Sequence, residues 1–258
     1  MTSNLGNRAG TAAPAPLAGC LADVDAVEIK VTIRPDQELC AERAMEVSEA
    51  DAQARTLYFY DTPGLELFDA GAVLRARHIA GDDDDSTVKF RPVQASKIAK
   101  EWRQSQGFKL EADSVGDHLV CSASLTVVQK RGEIDEVAKR KRPIERLFSK
   151  DQERFLCEFC VCAIDFGKLR VLGPIRVLRW KSTPKRFQHE LTLEEWRLPN
   201  GDDLVEVSIK TTPEQALQAR KDFEQHLRDL DLDPEGSQAA KTRTVLQHFA
   251  KTLGSGEP

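Results

Sequence analysis

Short runs in which apolar and charged residues alternate constrain this chain more than any other feature. Between Asp25 and Ile33, valine and isoleucine occupy every second position, and Glu28 and Lys30 lie between them. Successive side chains of a β-strand point to opposite faces, so this pattern predicts a strand with one apolar and one charged face. Related runs recur in AVLRARHI, STVKFRPV, GFKLEAD and DLVEVSIK. The chain is therefore predicted to contain many strands whose polar faces carry charges of both signs.

The remaining segments predict further strands and several helices. Strands are predicted for TLYFYD, CVCAIDFG, a run from Leu169 to Lys181, and FQHELTLEEWRL. Helices are predicted after Pro35, across most of 116–158 with Ser149 as an N-cap, and as an amphipathic pair between Pro213 and Leu253. Residues 1–21 are small, aperiodic and proline-containing, so they are predicted to form a flexible tail before a single domain over 22–258.

Two sheet arrangements are compatible with strands that have one apolar and one charged face. The charged faces can lie in water on an open sheet, or a sheet can close into a barrel with the charged faces inward. Arrays of arginine, lysine and glutamate, rather than serine, threonine and glutamine, favour the barrel, and helices are available to cover the apolar face. Periodicity alone leaves both arrangements open.

Composition excludes several classes of function. The formal net charge is -5, whereas a protein that binds a nucleic-acid backbone usually carries an excess of lysine and arginine on one face. No apolar stretch is long enough to cross a bilayer, and the first residues lack the apolar middle of a secretion signal. The sequence therefore predicts a cytoplasmic protein that binds neither nucleic acid nor membrane.

Other signals receive structural interpretations. The six cysteines are irregularly spaced, and Cys157, Cys160 and Cys162 lack a fourth zinc ligand, so buried thiols are predicted for the run FLCEFCVCAIDF. The acidic run 82–85 is predicted to be a solvated loop, and the basic run KRKRP at 139–143 an exposed helix end. The five histidines show no ligand spacing.

An ordered series of short motifs resembles a known family. The motifs EIK, YFYDTP, LRAR, TVKFRP and LVEVSIK, in this order, are similar to those of the CYTH family. That family is named after class IV adenylate cyclase and thiamine triphosphatase, and is also called the triphosphate tunnel metalloenzymes. The resemblance runs from about Asp23 to the last predicted helix. It implies an α+β fold in which eight antiparallel strands close into a tunnel with a charged interior and helices packed outside.

The resemblance also implies a divalent cation, Mg²⁺ or Mn²⁺. The opening Glu-x-Glu-x-Lys signature of the family falls on Ala26, Glu28 and Lys30, so the first acid is missing. Hard cations take oxygen ligands, and the loss of one carboxylate weakens the site or leaves that position to water. The acidic hairpin LEEWRLPNGDDLVEVS matches the family at Glu194 and Glu206, with Ser208 where a second glutamate is frequent. The implied metal ligands are Glu28, Glu194 and Glu206, with Glu190 as a weaker candidate.

Basic residues on the same strand faces match the phosphate ligands of the family. Arg75 and Arg77 match its Leu-Arg-x-Arg strand and Lys89 its Thr-x-Lys motif, and two guanidinium groups on one face suit phosphate oxygens. The alternative is that these are surface charges in weak salt bridges, although their shared parity argues against it. The implied phosphate-binding residues are Lys30, Arg75, Arg77, Lys89, Arg91, Arg179, Lys181 and Lys241. The implied catalytic residues are Glu28, Lys30, Arg75, Arg77 and Lys89.

The resemblance implies metal-dependent binding and hydrolysis of inorganic triphosphate or a related organic triphosphate. Adenylate cyclase is a less favoured enzyme, because nothing in the sequence identifies an adenine pocket. The alternative from another class is a triphosphate- or polyphosphate-binding module with weak or no catalysis, which Ala26 and Ser208 favour. The expected partner is a small molecule that contains a triphosphate, and a homodimer is retained as a candidate assembly.

Overall fold

Nine strands close into one barrel in the part of the chain that the structure describes. The computed structural model describes residues 21, 23–115, 118–160, 164–232 and 241–254, and the predicted tail lies outside this part except for residue 21. The strands are β1 (Ala26–Ile33), β2 (Gln53–Asp61), β3 (Ala72–Ile79), β4 (Asp84–Phe90), β5 (Phe108–Val115), β6 (His118–Gln129), β7 (Arg170–Ser182), β8 (Leu191–Arg197) and β9 (Asp203–Thr211). Around the barrel they follow the order β1-β5-β6-β4-β3-β2-β7-β8-β9.

The barrel is mixed, so the prediction of eight antiparallel strands is wrong in number and in direction. Strand β1 runs parallel to β5 and antiparallel to β9, and the other neighbours are antiparallel. A closed ring with an odd number of strands cannot reverse direction at every step, so at least one neighbouring pair has to be parallel. Closure itself, which periodicity left open against an open sheet, is confirmed.

Strand β6 lies where the sequence predicted helix. Its apolar residues alternate as a strand requires, and one set is buried: Leu119, Cys121, Ala123 and Leu125. Along its length β6 pairs with both β4 and β5. The intervening positions include Ser122 and Ser124, which are also buried, so no charge marked the second face. Small residues on both faces therefore concealed the strand period.

The expected strand in CVCAIDFG is not formed in its described part. Residues 161–163 lie outside the described residues, and Phe166–Lys168 forms a 3-10 turn. The side chain of Asp165 accepts a hydrogen bond from the amide of Gly167 at 3.0 Å, which is the geometry of a turn residue. In the same run Cys160 is buried as expected and Cys157 is exposed, while Cys162 is not described; elsewhere Cys121 is disulfide-bonded.

Seven α-helices accompany the strands in the described ranges. They are α1 (Glu38–Ala44), α2 (Glu66–Asp69), α3 (Lys100–Arg103), α4 (Glu133–Ala138), α5 (Lys150–Phe159), α6 (Ala216–Asp229) and α7 (Lys241–Gly254). The predicted N-cap of α5 is confirmed, because Ser149 Oγ accepts a hydrogen bond from the amide of Gln152 at 3.2 Å. The Gln152 amide group donates in turn to the carbonyl of Ser86 at 3.0 Å, which attaches α5 to the barrel.

The larger hydrophobic cluster lies between the strands and the helices outside them. Val27 and Ile29 of β1 belong to it, as do the fully buried Phe155 of α5 and Phe223 of α6. Full burial of each such side chain contributes roughly 1.5–3 kcal/mol to folding. Glu28, which lies between Val27 and Ile29, therefore points away from this cluster.

A smaller cluster involves the other strand face and α7. It contains Leu57 and Phe59 of β2, Trp196 of β8, and Val245 and Leu246 of α7. By alternation, Leu57 and Phe59 share a face with Arg55, and Trp196 shares one with Glu194. Helix α7 thus packs against the charged side of the strands. Among the described residues, no helix is long and apolar enough to span a membrane.

Candidate functional site

Charged side chains from β1, β4 and β5 form the first part of the site. Lys30 Nζ lies 2.9 Å from Glu28 Oε2 and 3.1 Å from Asp113 Oδ1. Burial alone would lower the pKa of Lys30, but the charges of Asp113 and Glu28 raise it well above its ordinary value. The same balance acts on Glu28, because burial raises its pKa, whereas the charge and hydrogen bond of Lys30, together with the Lys89 charge, bring that pKa below its ordinary value. Both groups are therefore held in their charged forms.

Asp113 contacts lysines from two other strands. Lys89 Nζ on β4 lies 2.9 Å from Asp113 Oδ2 on β5, although β6 separates these strands. Ser122 Oγ donates a hydrogen bond to the same oxygen at 3.2 Å. The carboxylate is almost fully buried, which by itself would raise its pKa, but Lys30 and Lys89 hold that pKa well below its usual range. Asp113 is thus a buried anion between two ammonium groups.

An acidic pair on β8 and β9 forms the second part of the site. Glu194 and Glu206 face each other in register on these neighbouring strands. Lys241 Nζ, from α7, lies 2.5 Å from Glu194 Oε2 and 2.7 Å from Glu206 Oε1. The Lys241 ammonium also lies 4.6 Å from the centroid of the Trp196 ring, and the Trp196 indole donates to Glu194 Oε2 at 3.1 Å.

The electrostatic effects on this pair are reciprocal. Burial raises the pKa of Glu194, but the Lys241 charge and its hydrogen bond hold that pKa well below its usual range. Burial lowers the pKa of Lys241, and Glu194 and Glu206 raise it to above its ordinary value. Arg179 Nε lies 3.6 Å from Glu194 Oε1 and adds a second positive charge. The pair is consequently ionised and surrounded by cations.

Three arginines on β2 and β3 form the third part of the site. Arg77 makes a two-point contact with Asp85, with 2.9 Å between Nε and Oδ1. Arg55 donates from Nε to Gln53 Oε1 at 3.0 Å. Arg75 has no hydrogen bond or ion pair within the described residues, and its Nε is buried. Burial, followed by the neighbouring Arg77, lowers the pKa of Arg75 to about 9, so its positive charge is poorly compensated.

These three parts lie within electrostatic reach of one another. The Glu206 carboxylate raises the pKa of Lys30, the Glu194 carboxylate raises that of Arg75, and Arg179 lowers that of Arg55. We call the whole set the charged network. Its members are Glu28, Lys30, Arg55, Arg75, Arg77, Asp85, Lys89, Asp113, Arg179, Glu194, Glu206 and Lys241.

Most of the site residues predicted from the sequence belong to this network, and Arg91 adjoins it. Arg91 directly follows β4, and its charge acts on the pKa values of Lys89 and Asp113. Two predicted residues lie apart: Lys181 and Glu190 form an ion pair with each other, and both side chains are about half exposed. The predicted ligands therefore converge, with the exception of this surface pair.

Three members of the network were not predicted. Asp113 lies on the charged face that alternation identified in GFKLEAD. Arg55 shares its face with Leu57 and Phe59, so alternation gave no signal for it. Asp85 was placed in a solvated loop with its acidic neighbours, which is wrong, because Asp84 and Asp85 begin β4 and are buried. Asp84 pairs with His78 at 2.8 Å. The signal for Asp85 was its spacing from Lys89. Asp85, Thr87 and Lys89 occupy alternate positions of β4 and therefore share one strand face.

The carboxylates do not form a metal-ligand cluster as they are arranged. Among the described residues, no group of three or more histidine, cysteine, aspartate or glutamate side chains could hold a metal ion. Of the implied ligands, Glu28 forms an ion pair with Lys30, and Glu194 and Glu206 both form ion pairs with Lys241. Ammonium groups thus take the places where the sequence predicted a cation.

Comparisons with known proteins show the fold. No family model and no curated protein matches the chain. A putative adenylate cyclase from Bacillus halodurans aligns with a TM-score of 0.59 and 14% identity, over 84% of this chain and 96% of that one. The putative adenylyl cyclase HpAC1 from Hippeastrum, which reveals a dominant triphosphatase activity, aligns with a TM-score of 0.60 and 20% identity, over 86% of this chain and 95% of that one. The chain therefore shares the fold of these two proteins, which agrees with the resemblance to the CYTH family found in the sequence.

Proposed function

We propose that the charged network lines the inside of the barrel and binds a linear triphosphate there. The helices outside pack on the strand face that carries Val27 and Ile29, which leaves Glu28 and Lys30 on the opposite, inner face. A closed barrel of this kind can enclose a polar ligand. The residues that would contact the phosphates come from several strands, so the ligand would be surrounded rather than held at an edge.

The observation that carries this proposal is the partly buried guanidinium of Arg75, whose buried Nε has no hydrogen-bond partner among the described residues. A buried charge without a partner is costly, and a guanidinium offers paired donors that match phosphate oxygens. Arg55 and Arg77 lie close enough to influence its pKa, so three positive charges converge in one place. A polyanion would relieve their mutual repulsion and supply the missing hydrogen-bond acceptors.

The reaction that suits this geometry is hydrolysis of the terminal phosphoanhydride. Water attacks the terminal phosphorus, the bond to the bridging oxygen breaks, and inorganic phosphate and the shortened phosphate chain leave. Negative charge develops on the bridging and terminal oxygens, and fixed cations such as Arg75, Lys30 and Lys89 would stabilise it without a covalent enzyme intermediate. The triphosphatase activity of HpAC1, which shares this fold, favours this reaction over cyclisation at the level of analogy.

The metal requirement implied by the resemblance stays a prediction, and no step above depends on it. With lysines bound to Glu28, Glu194 and Glu206, the residues do not fit Mg²⁺ or Mn²⁺ in the present arrangement. Hard cations need several oxygen ligands, and an ammonium group competes for the same oxygens. The same observation favours the alternative function, a triphosphate-binding module with little turnover.

One panel of assays separates the two functions. Inorganic triphosphate, thiamine triphosphate and ATP are titrated calorimetrically with and without Mg²⁺ or Mn²⁺, and phosphate release is measured for the same set. Binding together with release of inorganic phosphate supports the enzyme. Binding without release supports the module. If none of the three compounds binds under any metal condition, both functions are wrong.

A further inference from the structure

A cavity lies apart from the charged network. Its volume is about 920 Å³, within the range of roughly 300–1,000 Å³ usual for small-molecule sites. It is lined by the segment from α4 to Glu145, by the turn at Phe166 and the first residues of β7, by Tyr58 of β2 and by Leu253 of α7. It shares no lining residue with the charged network. A ligand of this cavity would therefore contact residues other than those of the proposed triphosphate site.

The rim of the cavity is strongly basic on a chain that is acidic overall. Five cationic side chains line it, namely Lys139, Arg140, Lys141, Arg142 and Arg170, and only Asp135 and Glu145 oppose them. This is the basic run 139–143 that the sequence analysis interpreted as an exposed helix end. Lys139, Arg140 and Lys141 are exposed, as that interpretation expected. Their place at the rim of a cavity adds a second interpretation, because a local excess of positive charge attracts anions.

Several of these cations lack a carboxylate partner. Arg142 is paired with Glu133 at 2.8 Å, and Lys139 is only weakly paired with Asp135 at 4.0 Å. In the described part of the chain, Arg140 and Lys141 form no ion pair. Arg170 Nη1 donates to the carbonyls of Leu169 at 2.9 Å and Lys168 at 3.2 Å, which positions the guanidinium without neutralising it. Three charges are thus available to a ligand.

The backbone holds this segment in a defined but unfavourable conformation. Arg140 has φ 58, in the left-handed region that glycine normally occupies after a helix. The turn is closed by hydrogen bonds from the Arg140 amide to the carbonyl of Val137 at 2.9 Å, and from the Lys141 amide to that of Glu136 at 2.8 Å. An arginine in this position is strained, and residues kept under such strain are concentrated at functional sites.

The walls of the cavity are largely apolar. Val137 and Leu169 are buried, and Ile144, Phe166 and Val171 are partly buried against the main core. Tyr58 contributes a half-buried ring, and its pKa is raised by burial and by Asp135, so the phenol stays neutral. A small inorganic anion would leave these surfaces unused. The combination suits an anion with an apolar or aromatic body.

We propose that this cavity is a binding site for an organic phosphate, in which the basic rim holds the phosphate group and the apolar walls hold the organic body. ATP is a suitable probe, because its base is aromatic and its phosphates are multiply charged. Inorganic triphosphate carries similar charge without the organic body. We therefore expect ATP to bind in this cavity at least tenfold more tightly than inorganic triphosphate.

The test uses the full chain with Arg75→Ala as a background, which weakens the barrel site. Calorimetry should still detect ATP binding in this background, and hydrogen exchange should show protection of 139–145 by ATP. The double change Arg140→Gly/Lys141→Ala should weaken that binding at least tenfold. Glycine at 140 relieves the backbone strain, so the melting temperature should be unchanged or higher, and loss of binding cannot be attributed to unfolding.

The matched control is Lys185→Ala/Lys221→Ala, which removes two exposed charges elsewhere. It should leave ATP affinity unchanged. Three results would overturn the proposal: no ATP binding in the Arg75→Ala background, equal ATP affinity after Arg140→Gly/Lys141→Ala, or an equal loss in the control pair. Failure here leaves the barrel site untouched, since inorganic triphosphate binding by the parent protein is measured separately.

Discussion

The ammonium nitrogen of Lys241 lies 2.7 Å from Oε1 of Glu206, and 2.5 Å from Oε2 of Glu194. Lys241 begins α7, whose Val245 and Leu246 are buried beside Trp196. The two carboxylates belong to neighbouring strands of the barrel. A helix that packs against the charged side of the strands thus supplies a positive charge to the acidic pair. A metal ion that used both carboxylates would have to displace this lysine.

Replacement of Lys241 by alanine should therefore increase metal affinity. Without the ammonium group, the two carboxylates repel each other, and a divalent cation becomes the best available neutralising charge. We expect Mn²⁺ to bind at least about tenfold more tightly, which corresponds to about 1.4 kcal/mol. The measurement is a Mn²⁺ titration without substrate, followed by electron paramagnetic resonance. Lys251→Ala, at the exposed end of the same helix, is the control, and equal affinities in both variants would refute competition by Lys241.

A glutamate at position 26 should also raise metal affinity, by a separate route. Alternation along β1 places position 26 on the same face as Glu28 and Lys30, so Ala26→Glu adds a carboxylate to the network. We expect tighter Mn²⁺ binding and, if the rest of the site is competent, faster metal-dependent phosphate release. The control is Leu39→Glu, which adds a carboxylate at an exposed helical position. Metal titrations and phosphate release identical to those of the parent would show that position 26 is not the missing signature position.

Loss of the Asp113 charge should destabilise the fold. Asp113→Asn leaves the partly buried Lys30 and Lys89 without their shared anion, and removal of one partner from a buried ion pair costs up to roughly 3–5 kcal/mol. Urea unfolding at pH 7 measures this difference in the free energy of unfolding. Asp151→Asn, a change at an exposed carboxylate, is the control and should cost almost nothing. A loss below about 1 kcal/mol for Asp113→Asn would show that the pair is not a stabilising element.

The same carboxylate predicts a direction of pH dependence. The pKa of Asp113 is lower in the folded protein than the unfolded value of about 3.9, so the folded state binds fewer protons in this range. Its contribution is complete above that unfolded value and is lost as the pH falls through the folded value. Asp113→Asn should therefore make the stability less dependent on pH below about 4. An unchanged acid slope in the variant would contradict the assignment.

Local alternation was sufficient to predict much of the charged network. Glu28, Arg75 and Lys89 lie in short runs where apolar and charged residues alternate, and all three belong to the charged network. The period failed in β6, where serine and alanine on both faces removed the contrast between polar and apolar positions. It also failed at Asp85, because four successive acids resembled a loop.

Contacts between distant segments were beyond the reach of the sequence. Lys241 was expected to bind phosphate, and nothing in its local pattern indicates that α7 brings it to Glu194 and Glu206. The cavity beside the basic run depends in the same way on β7 and α4 meeting in space. Such relationships are set by tertiary packing, which a local period does not encode.

The most direct test of the central claim is calorimetric titration of inorganic triphosphate into the parent protein and the Arg75→Met variant. Methionine keeps much of the side-chain volume and removes a partly buried guanidinium whose Nε has no hydrogen-bond partner among the described residues. Charge-assisted hydrogen bonds contribute about 1.5–3 kcal/mol, so affinity should fall roughly 10- to 100-fold, while the melting temperature stays equal or rises. Arg176→Met, at an exposed arginine of β7, should bind like the parent. Equal affinity in the parent and Arg75→Met would contradict the proposal that the charged network binds triphosphate.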